Sequence, residues 1–167
     1  MQKSSPSQDP DPEPMVSIRI ASRSDIAAML ALERAAETAA HWSEPQYQQI
    51  FSAPGRLALV AESDAIEGFL VARQIGPEWE LENIVVSSAA ARRGRATRLI
   101  TELLERARAE HAEAIFLEVR ESNRPARALY EKCGFRQVGL RQGYYRGPEE
   151  NAVAYKYSLI PRSLRSK

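Results

Sequence analysis

The apolar spacing of the chain changes period twice between Trp79 and Arg120, and that change limits the folds open to it. Over Trp79–Ser87 the side chains alternate, with Glu80 and Glu82 on one face, as a strand requires. Ala96, Leu99, Ile100, Leu103, Leu104 and Ala107 then fall at i, i+3, i+4, i+7, i+8 and i+11, while Arg95, Arg98, Glu102, Glu105 and Arg108 take the other face. That is the stripe of an amphipathic helix lying on a sheet. Ala114–Arg120 returns to alternation, setting Ile115, Leu117 and Val119 opposite Phe116, Glu118 and Arg120. Strand, helix and strand in this order favour a parallel pair joined by a helical crossover.

The flanking segments extend the sheet. Ser17–Ala21 alternates as a half-buried strand, and Ser24 and Asp25 offer N-caps for a helix carrying Ile26, Met29, Leu30 and Glu33. His41–Pro45 interrupts it, and a short second helix is expected over Tyr47–Phe51. Strands at Arg56–Glu62 and Ile66–Gln74 precede Trp79–Ser87. Hairpin-length connections, Ser63–Ala65 and Ile75–Glu78, make these three antiparallel. Asn123 caps a helix that has Pro125 in its first turn and ends at Cys133-Gly134. Strands at Phe135–Leu140 and Ala152–Ser158 close the chain around a loop, Arg141–Asn151. The expected fold is a single α/β (α+β) domain with a mixed, mostly antiparallel sheet of about seven strands and about four helices. It spans residues 16–160, between a tail at 1–15 broken by Pro6, Pro10, Pro12 and Pro14 and a second tail at 161–167.

Composition removes several function classes. Lys plus Arg number 23 and Asp plus Glu 22, a net charge of +1, which argues against a binder of duplex nucleic acid driven by a basic field. One cysteine, Cys133, permits no intramolecular disulfide and points to a reducing compartment. With two histidines, His41 and His111, a Cys/His zinc cage is excluded and no metal is expected. No apolar run approaches the roughly 18 residues of a membrane helix, and Met1–Pro14 lacks the apolar core of a signal peptide. A cytoplasmic monomer without membrane or nucleic-acid partners is expected.

The segment Ala91-Arg92-Arg93-Gly94-Arg95-Ala96-Thr97 joins a strand to the most strongly periodic helix. A glycine turn at a helix N-terminus presents unpaired N–H groups and a positive dipole end, which attract phosphate, and Arg92, Arg93 and Arg95 add charge. The segment matches neither G-x-x-x-x-G-K-[ST] nor G-x-G-x-x-G.

With the strand Glu82–Val86 before it and the strand and helix after it, this arrangement resembles the GNAT superfamily of acetyl-CoA-dependent N-acetyltransferases over residues 16–160. The family's pyrophosphate loop, Gln/Arg-x-x-Gly-x-Gly/Ala, corresponds to Ala91–Ala96, with Gly94 and Ala96 matching and Ala91 replacing the first side chain. Leu117-Glu118-Val119-Arg120-Glu121-Ser122-Asn123, followed by Ala126-Arg127-Ala128-Leu129-Tyr130 and Gly134-Phe135, is similar to the signature of the bacterial ribosomal-protein alanine N-acetyltransferases of the RimI type. Trp42-Ser43-Glu44 and Arg141-Gln142-Gly143-Tyr144-Tyr145 agree with the same subgroup.

The resemblance implies a sheet splayed between its fourth and fifth strands. It implies acetyl transfer from acetyl-CoA to the N-terminal amine, of alanine in the RimI type, of a small-subunit ribosomal protein, by direct attack. Glu118 would be the base, with Glu80 and then Glu82 as rivals, and Tyr130 the acid that protonates the leaving thiolate. Ile84, Val85 and Val86 would pair with the pantetheine amides, Arg92, Arg93, Gly94, Arg95, Ala96 and Thr97 would hold the pyrophosphate, and Asn123 would contact the coenzyme. Trp42, Glu82, Tyr144 and Tyr145 would meet the peptide. An α-amine with a pKa of about 7.7–8.0 is already roughly 10–15 % neutral at pH 7, so a modest base suffices. Another amine as acceptor, or a catalytically idle acyl-CoA-binding module, are the alternatives.

Overall fold

A computed structural model of the chain describes residues 14–37 and 39–160. The N-terminal tail, apart from residues 14 and 15, and the C-terminal tail lie outside them. Seven strands, β1 (Ser17–Ile20), β2 (Arg56–Glu62), β3 (Ile66–Ile75), β4 (Glu78–Val86), β5 (Ala114–Arg120), β6 (Arg136–Tyr145) and β7 (Glu150–Ser158), form one sheet in the order β1-β2-β3-β4-β5-β7-β6. Helices α1 (Ile26–Ala35) and α2 (Glu44–Ile50) precede β2, α3 (Arg95–Ala109) joins β4 to β5, and α4 (Arg124–Lys132) joins β5 to β6. Every neighbouring pair is antiparallel except β4 and β5, which are parallel, as the helical crossover requires.

Both faces of the sheet are covered. Along β2 and β3, Leu59, Leu70 and Ala72 enter a core with Leu99, Ile100 and Leu103 of α3. Ala58, Val60, Phe69 and Val71 enter a second core with Met29, Leu30 and Tyr47. This two-sided burial explains why these strands read as continuous apolar runs. Each Leu or Ile that α3 buries fully contributes about 1.5–3 kcal/mol. Helix α4 is held as its sequence dictates, with the Asn123 side chain accepting from the Ala126 N–H at 3.2 Å. It ends against Gly134 at φ 96°, where an added Cβ would meet the Tyr157 ring at 3.0 Å.

Two boundaries differ from the sequence expectation. Helix α2 begins at Glu44 rather than Tyr47, because Pro45 sits in its first turn and Ser43 closes a capping box, its N–H donating to Gln46 Oε1 at 2.8 Å. A proline read as an interruption is a helix start. Strand β6 continues to Tyr145 and β7 begins at Glu150, so most of the expected loop Arg141–Asn151 is sheet. Register shifts between Gln137 and Gly139 and between Arg141 and Tyr145 break the alternation that would have marked the strand.

Candidate active site

Strands β4 and β5 pair only at Glu78–Ala114, Trp79–Ile115 and Glu80–Phe116, then diverge. The cause lies on the other side of β4. Leu81 faces Ala72 and Asn83 faces Val71 across β3, leaving Glu82 as an extra residue, and such a bulge bends its strand. From Leu81 to Val86, β4 therefore has an edge without a β5 partner. A cleft of ≈ 670 Å³ opens there, walled by β4, by Glu118–Arg120 of β5, by α4 and by the segment between α1 and α2.

Glu118 lies opposite the buried Ile115, Leu117 and Val119, as alternation predicts. Its carboxylate is 3.0 Å from Arg141 Nε on β6, and it accepts a hydrogen bond from the Tyr144 hydroxyl, which raises that phenol above its ordinary pKa. Tyr130 projects from α4 with its ring between Phe135 and Tyr155, at centroid distances of 6.0 and 6.2 Å. Burial pushes its phenol well above its ordinary pKa, and it holds its proton at neutral pH as an ordinary phenol also does. Glu118, Tyr130, Glu80, Glu82 and Asn123 all line the cleft, as do Trp42, Tyr144 and Tyr145.

The carboxylates of β4 are not bare. Arg73 reaches Glu80 at 2.7 Å and Glu82 at 3.2 Å, and Arg56 also pairs with Glu82. Burial nevertheless raises the Glu82 carboxyl above its usual value, against the pull of the two arginines. Glu80 and Glu82 thus share one face, as expected.

Ile84, Val86 and Ala96 also line the cleft, whereas Val85 points into the core beneath α1 and α2. Arg92, Arg93, Gly94 and Thr97 stand at the adjoining start of α3. Gly94 is the N-cap, at φ 74° with open space around its Cα, and Arg92 is also left-handed at φ 62°. The first helical acceptor is the Gly94 carbonyl, bonded by Arg98 N at 3.0 Å. The N–H groups of Arg95, Ala96 and Thr97 precede that bond and have no intrahelical partner. Arg95 corrects the expectation of a solvent-facing cation: its side chain is 7 % exposed and turns inward to Glu67. Its guanidinium faces the protein.

Sequence reasoning missed the floor of the cleft. Tyr47 donates to Glu33 Oε2 at 2.7 Å and Asn83 Nδ2 donates to Glu33 Oε1 at 2.9 Å, tying α1, α2 and β4 together beneath the Trp42 ring. The available signal was a glutamate on the apolar stripe of Ile26, Met29 and Leu30.

Residues 26–135 match the model of the acetyltransferase (GNAT) family. The chain belongs to that family. Its GNAT domain is 33 % identical over 135 residues to the [ribosomal protein bS18]-alanine N-acetyltransferase of Salmonella typhimurium, across 78 % of this chain and 88 % of that protein. It is 37 % identical over 95 residues to the protein of the same name from Haemophilus ducreyi, across 55 % of this chain and 66 % of that one. The crystal structure of the ribosomal-protein-S18-alanine N-acetyltransferase from Escherichia coli superimposes with a TM-score of 0.80 at 24 % identity, covering 92 % of this chain and 99 % of that one. That likeness speaks for the GNAT fold. Among the described residues, no helix is long and apolar enough to cross a membrane, and no cluster of His, Cys, Asp and Glu is suited to a metal ion.

Proposed function

We propose that this GNAT chain transfers an acetyl group from acetyl-CoA to the N-terminal α-amine of a ribosomal protein, with alanine as the first residue. The observation that carries the reading is the convergence of Glu118 from β5 and Tyr130 from α4 on one cleft beside the open edge of β4. The names of the relatives from Salmonella typhimurium and Haemophilus ducreyi supply the acceptor.

The chain's own groups fit the coenzyme. Unpaired N–H and C=O groups along Leu81–Val86 suit the pantetheine amides, in the manner of an added strand. The N-terminus of α3, with Arg92 and Arg93, suits the pyrophosphate. The bound coenzyme supplies the activated acetyl thioester. The acceptor amine enters between Trp42 and the Tyr144–Tyr145 pair and attacks the thioester carbonyl, forming the amide C–N bond as the C–S bond breaks. Glu118 takes the proton lost by the amine. Tyr130, which as a phenol holds its proton at neutral pH, donates toward the negative charge on the departing sulfur, and positioned proton donors contribute roughly 10²–10⁴-fold.

The decisive assay offers acetyl-CoA and a panel of N-terminal peptides to the full chain: an alanine-starting ribosomal peptide against Met-, Ser- and lysine-containing controls. Preferential acetylation of the alanine α-amine, located by mass spectrometry, is expected. No product on that peptide, or equal rates on all, overturns the acceptor assignment.

A further inference from the structure

We propose that Glu67 and Arg95 are positioning residues for the coenzyme, jointly locking the loop between β4 and α3, and that the Arg95 guanidinium is not itself a phosphate ligand. The proposal rests on the acetyl-CoA reading above. Glu67, near the start of β3, holds both ends of the loop. Its carbonyl accepts from Ser87 N, just past β4, at 2.8 Å. Its carboxylate accepts from Arg95 Nε, the first residue of α3, at 2.6 Å and from Ser63 Oγ at 2.8 Å. Arg95 Nη1 donates to the Arg93 carbonyl at 2.9 Å, occupying an acceptor that would otherwise repel an anion next to Gly94. Arg95 Nη2 is buried without a hydrogen-bond partner, so the side chain is committed to the interior.

The strands beneath leave little room for the loop to shift. A Cβ on Gly68 would lie 2.9 Å from the Val85 carbonyl oxygen and 3.1 Å from Val86 Cγ2. The ion pair also cancels the charge that a sequence reading assigns to phosphate, because Glu67 is held below its usual carboxylate range mainly by Arg95. What Arg95 gives the anion site is the placement of the backbone N–H groups at Arg95, Ala96 and Thr97.

A double-mutant cycle on the full chain tests this, reading coenzyme A affinity by calorimetry and steady-state constants for acetyl-CoA. In this part-buried pair, with the Arg95 side chain 7 % and that of Glu67 18 % exposed, removing one partner leaves the other charge poorly compensated, whereas replacing both by apolar groups can be nearly neutral. Arg95→Met and Glu67→Met are each expected to weaken coenzyme A binding about tenfold, and the double variant to bind more tightly than either. KM for acetyl-CoA should rise while kcat stays within about twofold. If Arg95 were a phosphate ligand, Glu67→Met would leave affinity unchanged or improve it and the double variant would match Arg95→Met, which overturns the proposal. The milder Glu67→Gln guards against misfolding, with hydrogen exchange of amides 87–97 read without ligand. Faster exchange confined to that segment supports the lock, and unchanged exchange overturns it. Failure of the unmutated chain to bind coenzyme A would instead remove the coenzyme reading, and the exchange result would still stand.

Discussion

Arg141 Nε lies 3.0 Å from the Glu118 carboxylate, and its guanidinium sits over the Tyr144 ring at 5.3 Å. One residue of β6 therefore orients the proposed base and part of the peptide wall together. The Arg141 side chain is 60 % exposed, and an exposed pair of this kind contributes only about 0–1 kcal/mol. An arriving ammonium can displace it. Glu118→Gln keeps the shape and removes the proton acceptor. Turnover at neutral pH should fall about 10²–10⁴-fold, with KM for acetyl-CoA within about twofold of the parent. Unchanged turnover would move the base to Glu80, Glu82 or solvent.

Tyr130→Phe retains the packing against Phe135 and Tyr155 and deletes only the hydroxyl. We expect kcat to drop about 10²-fold without a shift in the melting temperature beyond a few degrees. Normal turnover in this variant would show that another group, or water, protonates the thiolate.

Glu82 gives a stability signature. Burial raises its folded carboxyl above the ordinary value of 4.5, so just above that value the native state holds more protons than the unfolded one. Stability then falls as pH rises through the folded pKa. Glu82→Gln has no such proton to lose. Its melting temperature relative to the parent should improve between about pH 4 and about pH 7. A constant difference would mean that Arg56 and Arg73 balance burial, and one of opposite sign that they outweigh it.

The Glu33–Tyr47–Asn83 network makes a sharper claim on stability because all three residues are buried. Tyr47→Phe removes one donor from a buried carboxylate while preserving the ring, and urea unfolding should report a loss of about 1–3 kcal/mol. A loss below about 0.5 kcal/mol would mean that water reaches Glu33 and replaces the phenol.

What could be read in advance divides along the range of the interaction. The caps of α4, the apolar stripe of α3 and the alternation of β5 are local patterns, and apart from Arg95 at the start of α3 the side chains there fall where their spacing puts them. The extension of β6 to Tyr145 was hidden because its shifted register erases the alternation. The resemblance implied the splay, but the residue that bends β4, Glu82, shows itself only against β3. Arg95 looked like a surface cation because its partner, Glu67, is 28 residues away. Glu33 was visible as a charge on an apolar stripe, yet the two groups that satisfy it come from α2 and β4.

Gly94 separates backbone strain from ligand exclusion. It is left-handed, at φ 74°, and a Cβ there would meet nothing within 4 Å. Gly94→Val therefore carries no clash in the free protein, only the conformational cost of a β-branched residue in that region, about 1–2 kcal/mol. The added side chain would stand in the space where the phosphates approach the α3 N–H groups. Coenzyme A affinity by calorimetry should fall by more than the roughly 5–30-fold that this strain alone could account for. The melting temperature should change only by the amount the strain explains. Unaltered affinity would remove the turn at Gly94 as the pyrophosphate site, and with it the role proposed for Arg92 and Arg93.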